Sequence, residues 1–391
     1  MRNGKERRTE WIVHSDLDVV SGLDHMNRML RQQRTPRPAF TLVELLVVIS
    51  IIAVLAGILL TALSSATKSA TRSQTTATLN SFSAAINSFA QEHDRYPGVV
   101  PTHVLGDGAS LTSTQNALLH LMGGYRSRTS DEPSTNPNSI EYDRYKDGAR
   151  DPVEITLEDP NNSSRSWEII VDRSRIGEGP WIDGKPYSPY FAPKKTELIN
   201  RWLTVSSPSD SVARQQGYNR LPDLLDAWGT PVIYLKRERK GGPLVEGPAC
   251  PGGGETERGQ FSTKGMGLYV EATAMGTDRL RQKQYTFADS GAKSGSRLAG
   301  EDGDGALEEQ RQWLTSVVVN PAFYDSSGGD CEKWYGTASG SFILLSAGDD
   351  GIYLSHQDGP INENGGYVQE WAEAGPDQLE DFDDFIIAGG G

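Results

Sequence analysis

The segment Ala39-Phe40-Thr41-Leu42-Val43-Glu44 leads directly into residues 45–67, which read LLVVISIIAVLAGILLTALSSAT. This stretch has no charged residue and meets the length of ~20 residues that a helix needs to cross a bilayer. Its apolar residues would surround a helix on all sides, whereas a helix on the surface of a soluble core keeps a polar face. The sequence therefore predicts a transmembrane helix.

The residues before this stretch set its orientation. Residues 26–39 contain four arginines and no acidic residue. Because positive charge favours the cytoplasmic side, the N-terminus is expected in the cytoplasm and everything after the helix outside it. Residues 1–39 are predicted to be a basic leader. Met26 would be a natural start and would shorten that leader, and the choice between Met1 and Met26 stays open.

Glu44 is the one carboxylate at the membrane boundary of this run. An unpaired carboxylate there costs a few kcal/mol, so Glu44 is a candidate functional residue. Two other interpretations exist: Glu44 extends toward the lipid head groups, or the run is an ordinary signal peptide cut near Ser64. The carboxylate and the length of the run both disfavour the signal peptide.

The order of basic leader, Ala39, Phe40, Thr-Leu, Glu44 and apolar run resembles the class III signal at which type IV prepilins are processed. Ala39 stands where that family usually has glycine. The resemblance implies cleavage between Ala39 and Phe40 by a prepilin peptidase, followed by N-methylation of Phe40. Residues four apart share a helical face, so Glu44 would neutralise the new Phe40 amine or that of a neighbouring subunit.

A second helical pattern follows the apolar run. Apolar residues recur three or four positions apart, at Leu79, Phe82, Ile86 and Phe89. Tyr96-Pro97-Gly98 is a helix stop. We therefore predict a spine helix with a transmembrane part at 40–67 and an amphipathic part at 68–95.

Residues 96–391 are predicted to be an extracytoplasmic head with insertions at about 123–220 and 236–340. Within it the sequence predicts helices at 115–122 and 195–203 and a polar surface insertion over 124–166. A strand is expected after the Gly229-Thr230-Pro231 turn, with further strands at 268–272, 315–319 and 341–346 and a last one at 351–354 that closes a hairpin. The expected fold class is α+β: a long N-terminal helix packed on an antiparallel β-sheet head with long loop insertions, the pilin fold.

Two short patches resemble the major pseudopilin of type II secretion. Residues 226–231 (DAWGTP) are similar to its DPWG-x-P turn, and residues 346–351 (SAGDDG) to its S-x-G-x-DG loop. The resemblance implies a calcium site with Asp350 as the loop ligand and Asp384 as the later one. Calcium takes several oxygen ligands. The alternative is a simple Asp-Gly turn beside a solvated acidic tail.

Charge and motif content argue against other classes. The chain has 38 Lys and Arg against 52 Asp and Glu, which disfavours nucleic-acid binding. Its six histidines are scattered, and it has no HExxH, GxSxG or P-loop, so no enzymatic activity is expected. Cys250 and Cys331 lie far apart; in an exported protein they either form one disulfide or stay unpaired.

The sequence therefore favours a structural subunit of a type II secretion pseudopilus. Its expected place is the inner membrane, crossed once, with the head in the periplasm and then in a filament. The expected partners are prepilin peptidase, other copies of the chain, minor pseudopilins and the inner-membrane assembly platform. The alternatives are a surface type IV pilin for adhesion, motility or DNA uptake, and a signal-anchored periplasmic binding protein or enzyme.

Overall fold

The computed structural model describes residues 41–105, 111–150, 152–200, 221–248, 256–262, 264–265, 296–298, 306–324, 334–355 and 375–390. The chain divides into two units, residues 1–66 and 67–391. In chain order the helices are α1 (Leu42–His93), α2 (Ser113–Met122), α3 (Pro137–Gly148) and α4 (Ala306–Val318). The strands are β1 (Tyr125–Thr129), β2 (Pro152–Asp159), β3 (Asn162–Asp172), β4 (Trp181–Ile182), β5 (Lys185–Pro186), β6 (Leu198–Asn200), β7 (Pro222–Leu224), β8 (Ile233–Lys236), β9 (Gly247–Pro248), β10 (Thr256–Glu257), β11 (Phe342–Ser346) and β12 (Phe385–Gly389).

Helix α1 contributes to both units. It runs for 52 residues because no proline interrupts it and Gly57 is its one glycine. Among the helices in the described part of the chain, α1 is the one whose length and apolar composition would allow it to cross a membrane. The helix ends before Asp94, which takes a left-handed conformation with φ of 53° ahead of Tyr96-Pro97.

The central sheet of the head has the order β12-β11-β8, and all of its pairs are antiparallel. Strand β11 is buried along its whole length, so both of its faces are covered. Phe342 and Leu344 belong to the core that contains the α1 residues Leu79, Phe82 and Phe89. The alternate residues of the strand belong to a second core, built with one face of α4, whose members include Ile343, Leu345, Trp313, Leu314 and Val317. The sheet therefore lies between the second part of α1 and helix α4.

A second antiparallel sheet, with the order β1-β3-β2, follows α2. In β2 the buried residues Val153, Ile155 and Leu157 alternate with exposed ones, which is the pattern of a half-buried strand. On the other face, Ile170 packs with Tyr142 and Tyr145 of α3. The segment 124–166, predicted as a polar surface insertion, therefore has regular secondary structure, and its exposed polar positions lie on the outward faces of strands and a helix.

The α+β fold, with its long N-terminal helix and antiparallel sheet, is confirmed, as are the helix over 115–122 and the strands at 233–235 and 342–346. Three local predictions are wrong. Residues 315–318 end helix α4, because the apolar residues at 313, 314, 317 and 318 form one helical stripe against the sheet. Residues 351–354 form a turn rather than a hairpin strand, since β11 already pairs with β8 and β12. Residues 195–197 form a short 3-10 helix that leads into β6. The predicted strand at 268–272 and both cysteines lie outside the described residues.

Candidate functional site

The start of helix α1 is closed by a reciprocal pair of contacts between Thr41 and Glu44. The backbone N–H and the Oγ1 hydroxyl of Thr41 each donate to Glu44 Oε2 at 2.9 Å. The backbone N–H of Glu44 donates in return to Thr41 Oγ1 at 3.2 Å. This is a capping box, in which two residues three apart satisfy the free N–H groups at a helix start. The carboxylate of Glu44 is thus held at the helix N-terminus, and Ala39 and Phe40 lie outside the described residues.

The apolar residues that follow are exposed on every side of the helix. The most hydrophobic window of α1 has none of its residues buried. Large apolar side chains between Leu42 and Leu63 are exposed to between 44% and 78%. An apolar surface of this extent needs lipid or other protein surfaces to cover it.

In the head, the structure brings together the two patches at 226–231 and 346–351. Asp226 Oδ2 accepts a hydrogen bond from the Ser346 hydroxyl at 2.7 Å. Its Oδ1 accepts from the backbone N–H groups of Trp228 at 3.0 Å and Thr230 at 2.8 Å. The carboxyl group therefore closes its own turn and ties that turn to the end of β11.

Burial controls the ionisation of this carboxyl group. Asp226 is 4% exposed, and its burial raises its pKa to about 6, although the hydrogen bonds from Ser346 and the backbone act in the opposite direction. Two residues beyond the second patch, the Tyr353 hydroxyl donates to the Pro231 carbonyl. Gly348 has φ of 67° and lies so close to the Asp383 backbone that a side chain would collide with it. The small residue at this position is thus a packing requirement.

Three residues of α1 hold these loops, in a set of contacts that we call the spine clamp: Lys68 with Asp349, Arg72 with Asp383, and Thr75 with Ala227. Lys68 Nζ lies 2.7 Å from Asp349 Oδ2, Arg72 forms an ion pair with Asp383, and the Ala227 N–H donates to Thr75 Oγ1 at 3.1 Å. The hydrogen bond from Lys68 lowers the pKa of Asp349, and the same contact raises the pKa of Lys68. Thr75 is fully buried, whereas both ion pairs are partly exposed.

The spine clamp was not predicted from the sequence. The sequence does contain one sign of it: positions 68, 72 and 75 are four and three apart and therefore share one helical face. They also follow directly after the uncharged stretch. What the sequence lacks is any sign of the partners, because Asp349 and Asp383 lie more than 270 residues further along the chain.

The two predicted calcium ligands lie on either side of one turn. Asp350 Oδ1 accepts from the Ile352 N–H at 2.8 Å, and both carboxylate oxygens of Asp384 accept from the Leu354 N–H at 3.1 and 3.2 Å. Carboxylate oxygens are of the type that a hard cation such as calcium takes as ligands. Among the residues that the structure describes, no group of three or more acidic, His or Cys side chains gathers at one point.

A comparison with known protein families matches residues 36–60 to the prokaryotic N-terminal methylation motif. The chain carries this motif. This motif is typical of the N-termini of type IV pilin-like prepilins, and it implies processing by a prepilin peptidase and pilus-type assembly. Together with the long apolar helix, it indicates a membrane anchor. Neither a search of curated proteins nor a search of solved structures found a match.

Proposed function

We propose that this chain is a structural, non-enzymatic subunit of a type II secretion pseudopilus. Its helix anchors it in the inner membrane with the head in the periplasm, and assembly moves copies of it into a filament with minor pseudopilins. The observation that carries the choice of pseudopilus is the contact between the 226–231 turn and the 346–351 loop through Asp226 and Ser346. These are the two patches that resemble the major pseudopilin.

Cleavage at the junction of Ala39 and Phe40 is the step that prepares the subunit. It would leave an amine at Phe40, one residue before the Thr41–Glu44 capping box. In the capping box the Glu44 carboxylate already accepts hydrogen bonds from Thr41. We propose that the amine of an incoming subunit joins this carboxylate, because an ion pair of this kind replaces the lost hydration of both groups inside the membrane. Such a pairing would fix the register between subunits.

Mass spectrometry of the mature chain tests the processing, and deletion of the gene tests the function. A chain that begins with N-methylated Phe40 is expected. A secretion-defective deletion strain with normal surface pili supports the pseudopilus, whereas lost surface pili with normal secretion would indicate a surface type IV pilin. A mature chain that begins beyond residue 60 would contradict both and favour a periplasmic protein with an ordinary signal sequence.

We further propose that Asp350 and Asp384, which both contact the turn at residues 350–354, bind one calcium ion. The ion would stabilise the loops that the spine clamp holds. Calcium should raise the thermal midpoint of the full-length chain, and chelation by EDTA should lower it. The matched variants Asp350→Asn and Asp384→Asn should remove the response to calcium, whereas Asp143→Asn, in α3, should keep it. An equal calcium response in all four proteins would exclude this site.

A further inference from the structure

A cleft of about 170 Å³ lies in the head beside strand β1, away from the spine clamp residues. It is bounded by β1, α3, β3, the β4 strand and the segment after α1. Its lining includes Arg95, Arg126, Arg128, Glu132, Trp167 and Trp181. Neither the methylation motif nor the proposed filament function uses any of them.

Arg126 is fixed in this cleft by aromatic rings. Its guanidinium lies 4.6 Å from the ring centre of Tyr145 and 4.6 Å from that of Trp181, and its Nη1 donates to the Tyr125 carbonyl at 2.7 Å. Neither Arg126 nor Arg95 has a carboxylate within ion-pair distance in the described part of the chain. Arg128, by contrast, pairs with Glu168 at 2.8 Å and Asp143 at 2.9 Å. Arg126 is therefore held in place while some of its N–H groups stay available.

Several buried polar atoms on the lining have no hydrogen-bond partner among the described residues. They are the indole Nε1 atoms of Trp167 and Trp181, Nε of Arg126, and Oε2 of Glu132. Buried polar groups are nearly always paired, and these atoms are enclosed in the lining of the cleft, so we expect their side chains to turn slightly toward an occupant that supplies the partners. Three of the atoms donate and one accepts. A hydroxyl group can do both, so a ligand with several hydroxyls matches this set.

The charges on the lining and the size of the cleft further limit which ligands would fit. The lining carries three arginines and three acidic residues, Glu132, Glu141 and Asp183, so a phosphate or sulfate group would face carboxylates as well as guanidinium groups. A protein cavity of about 150 Å³ holds one benzene ring, so this cleft has room for about one six-membered ring. We propose that the cleft binds a single pyranose ring, as the end or branch of a glycan.

Titration of the full-length chain with monosaccharides tests this proposal. The chain is kept in a zwitterionic detergent without a sugar head group and titrated with glucose, galactose, mannose and N-acetylglucosamine. Saturation-transfer NMR and tryptophan fluorescence report binding. At least one sugar should bind saturably. Trp181→Phe keeps the ring against Arg126 but removes one N–H donor, and should weaken that binding about two- to tenfold.

Two further variants separate binding from folding. Arg95→Met removes a charged donor outside the aromatic stack and should weaken binding about tenfold or more. Trp228→Phe is the matched control, because Trp228 packs on Phe385 and does not line the cleft. Failure of all four sugars to bind, or equal affinity in the wild type and both lining variants, would overturn the proposal. Saturable binding of free glycine or inorganic phosphate in place of a sugar would also overturn it.

Discussion

The large apolar side chains of helix α1 are exposed in its first part and buried in its second part. Between residues 42 and 63 the large apolar side chains are exposed around the helix, whereas Leu79, Phe82, Ile86 and Phe89 are fully buried against the head. The first part therefore depends on contacts outside this chain, such as lipid or other subunits. The second part is stabilised by the chain's own sheet. One helix thus combines an intermolecular surface with an intramolecular one, and variants in its two parts should fail in different assays.

Glu44→Ala should give the largest effect, the loss of filament assembly. The variant removes the carboxylate that caps the helix start and that we propose to pair with the Phe40 amine of a neighbour. Membrane insertion should persist, because the apolar run is unchanged. Electron microscopy and shearing of filaments measure assembly, and membrane fractionation measures insertion.

The matched control for this prediction is Ser50→Ala, which removes a polar side chain of the apolar run. Among the described residues, the Ser50 hydroxyl donates to the Val47 carbonyl of its own helix. The Ser50→Ala variant should assemble normally. Filaments of normal abundance in Glu44→Ala would show that the carboxylate does not set subunit register.

Phe82→Ala should damage the second part of the helix instead. Phe82 is fully buried and packs against Phe191, with 5.0 Å between the ring centres. Truncation of a buried phenylalanine leaves a cavity and typically costs about 3–5 kcal/mol in the free energy of unfolding. Chemical unfolding in detergent, followed by tryptophan fluorescence, measures that loss.

Leu59→Ala is the comparison in the first part, where the side chain is 69% exposed. Its effect on the unfolding of the head should be near zero, while its effect on assembly should be measurable. Equal loss of head stability in Leu59→Ala and Phe82→Ala would contradict the division of the helix into two roles.

The sequence predicted the two parts of helix α1 well and the fold of the head less well. The uncharged run, the stripe at 79–89 and Glu44 are local signals, so the spine follows from spacing alone. The turn at 226–231 and the loop at 346–351 were also recognisable, but their contact through Asp226 and Ser346 joins residues 120 positions apart. Strand β12 was missed because five residues at the end of an acidic segment become a strand only by pairing with β11.

Asp226→Asn should have an intermediate effect that depends on pH. The folded-state pKa of about 6 lies above the ordinary value of 3.8, so the folded protein binds this proton more tightly than the unfolded chain does. The resulting stabilisation is fully present below about pH 4 and is lost as the pH rises through about 6, on the order of 2–3 kcal/mol in total. The asparagine variant, which cannot ionise, should lack this part of the pH dependence. Unfolding curves at several pH values between 4 and 7 measure the free energy of unfolding of both proteins. The same pH dependence in both would show that folding does not change the pKa of Asp226.

The spine clamp should give the smallest effect of all, despite its position at the junction of α1 and the head loops. Lys68 and Asp349 are 66% and 34% exposed in their side chains, and ion pairs exposed to this degree contribute little to stability because solvent screens them. A double-mutant cycle of Lys68→Ala and Asp349→Ala should give a small coupling energy that shrinks in high salt. A coupling energy as large as the loss of stability in Phe82→Ala would mean that the clamp, and not the buried stripe, determines how firmly the head holds the helix. A small value would assign that role to Phe82 and its neighbours and leave the ion pairs to orient the loops.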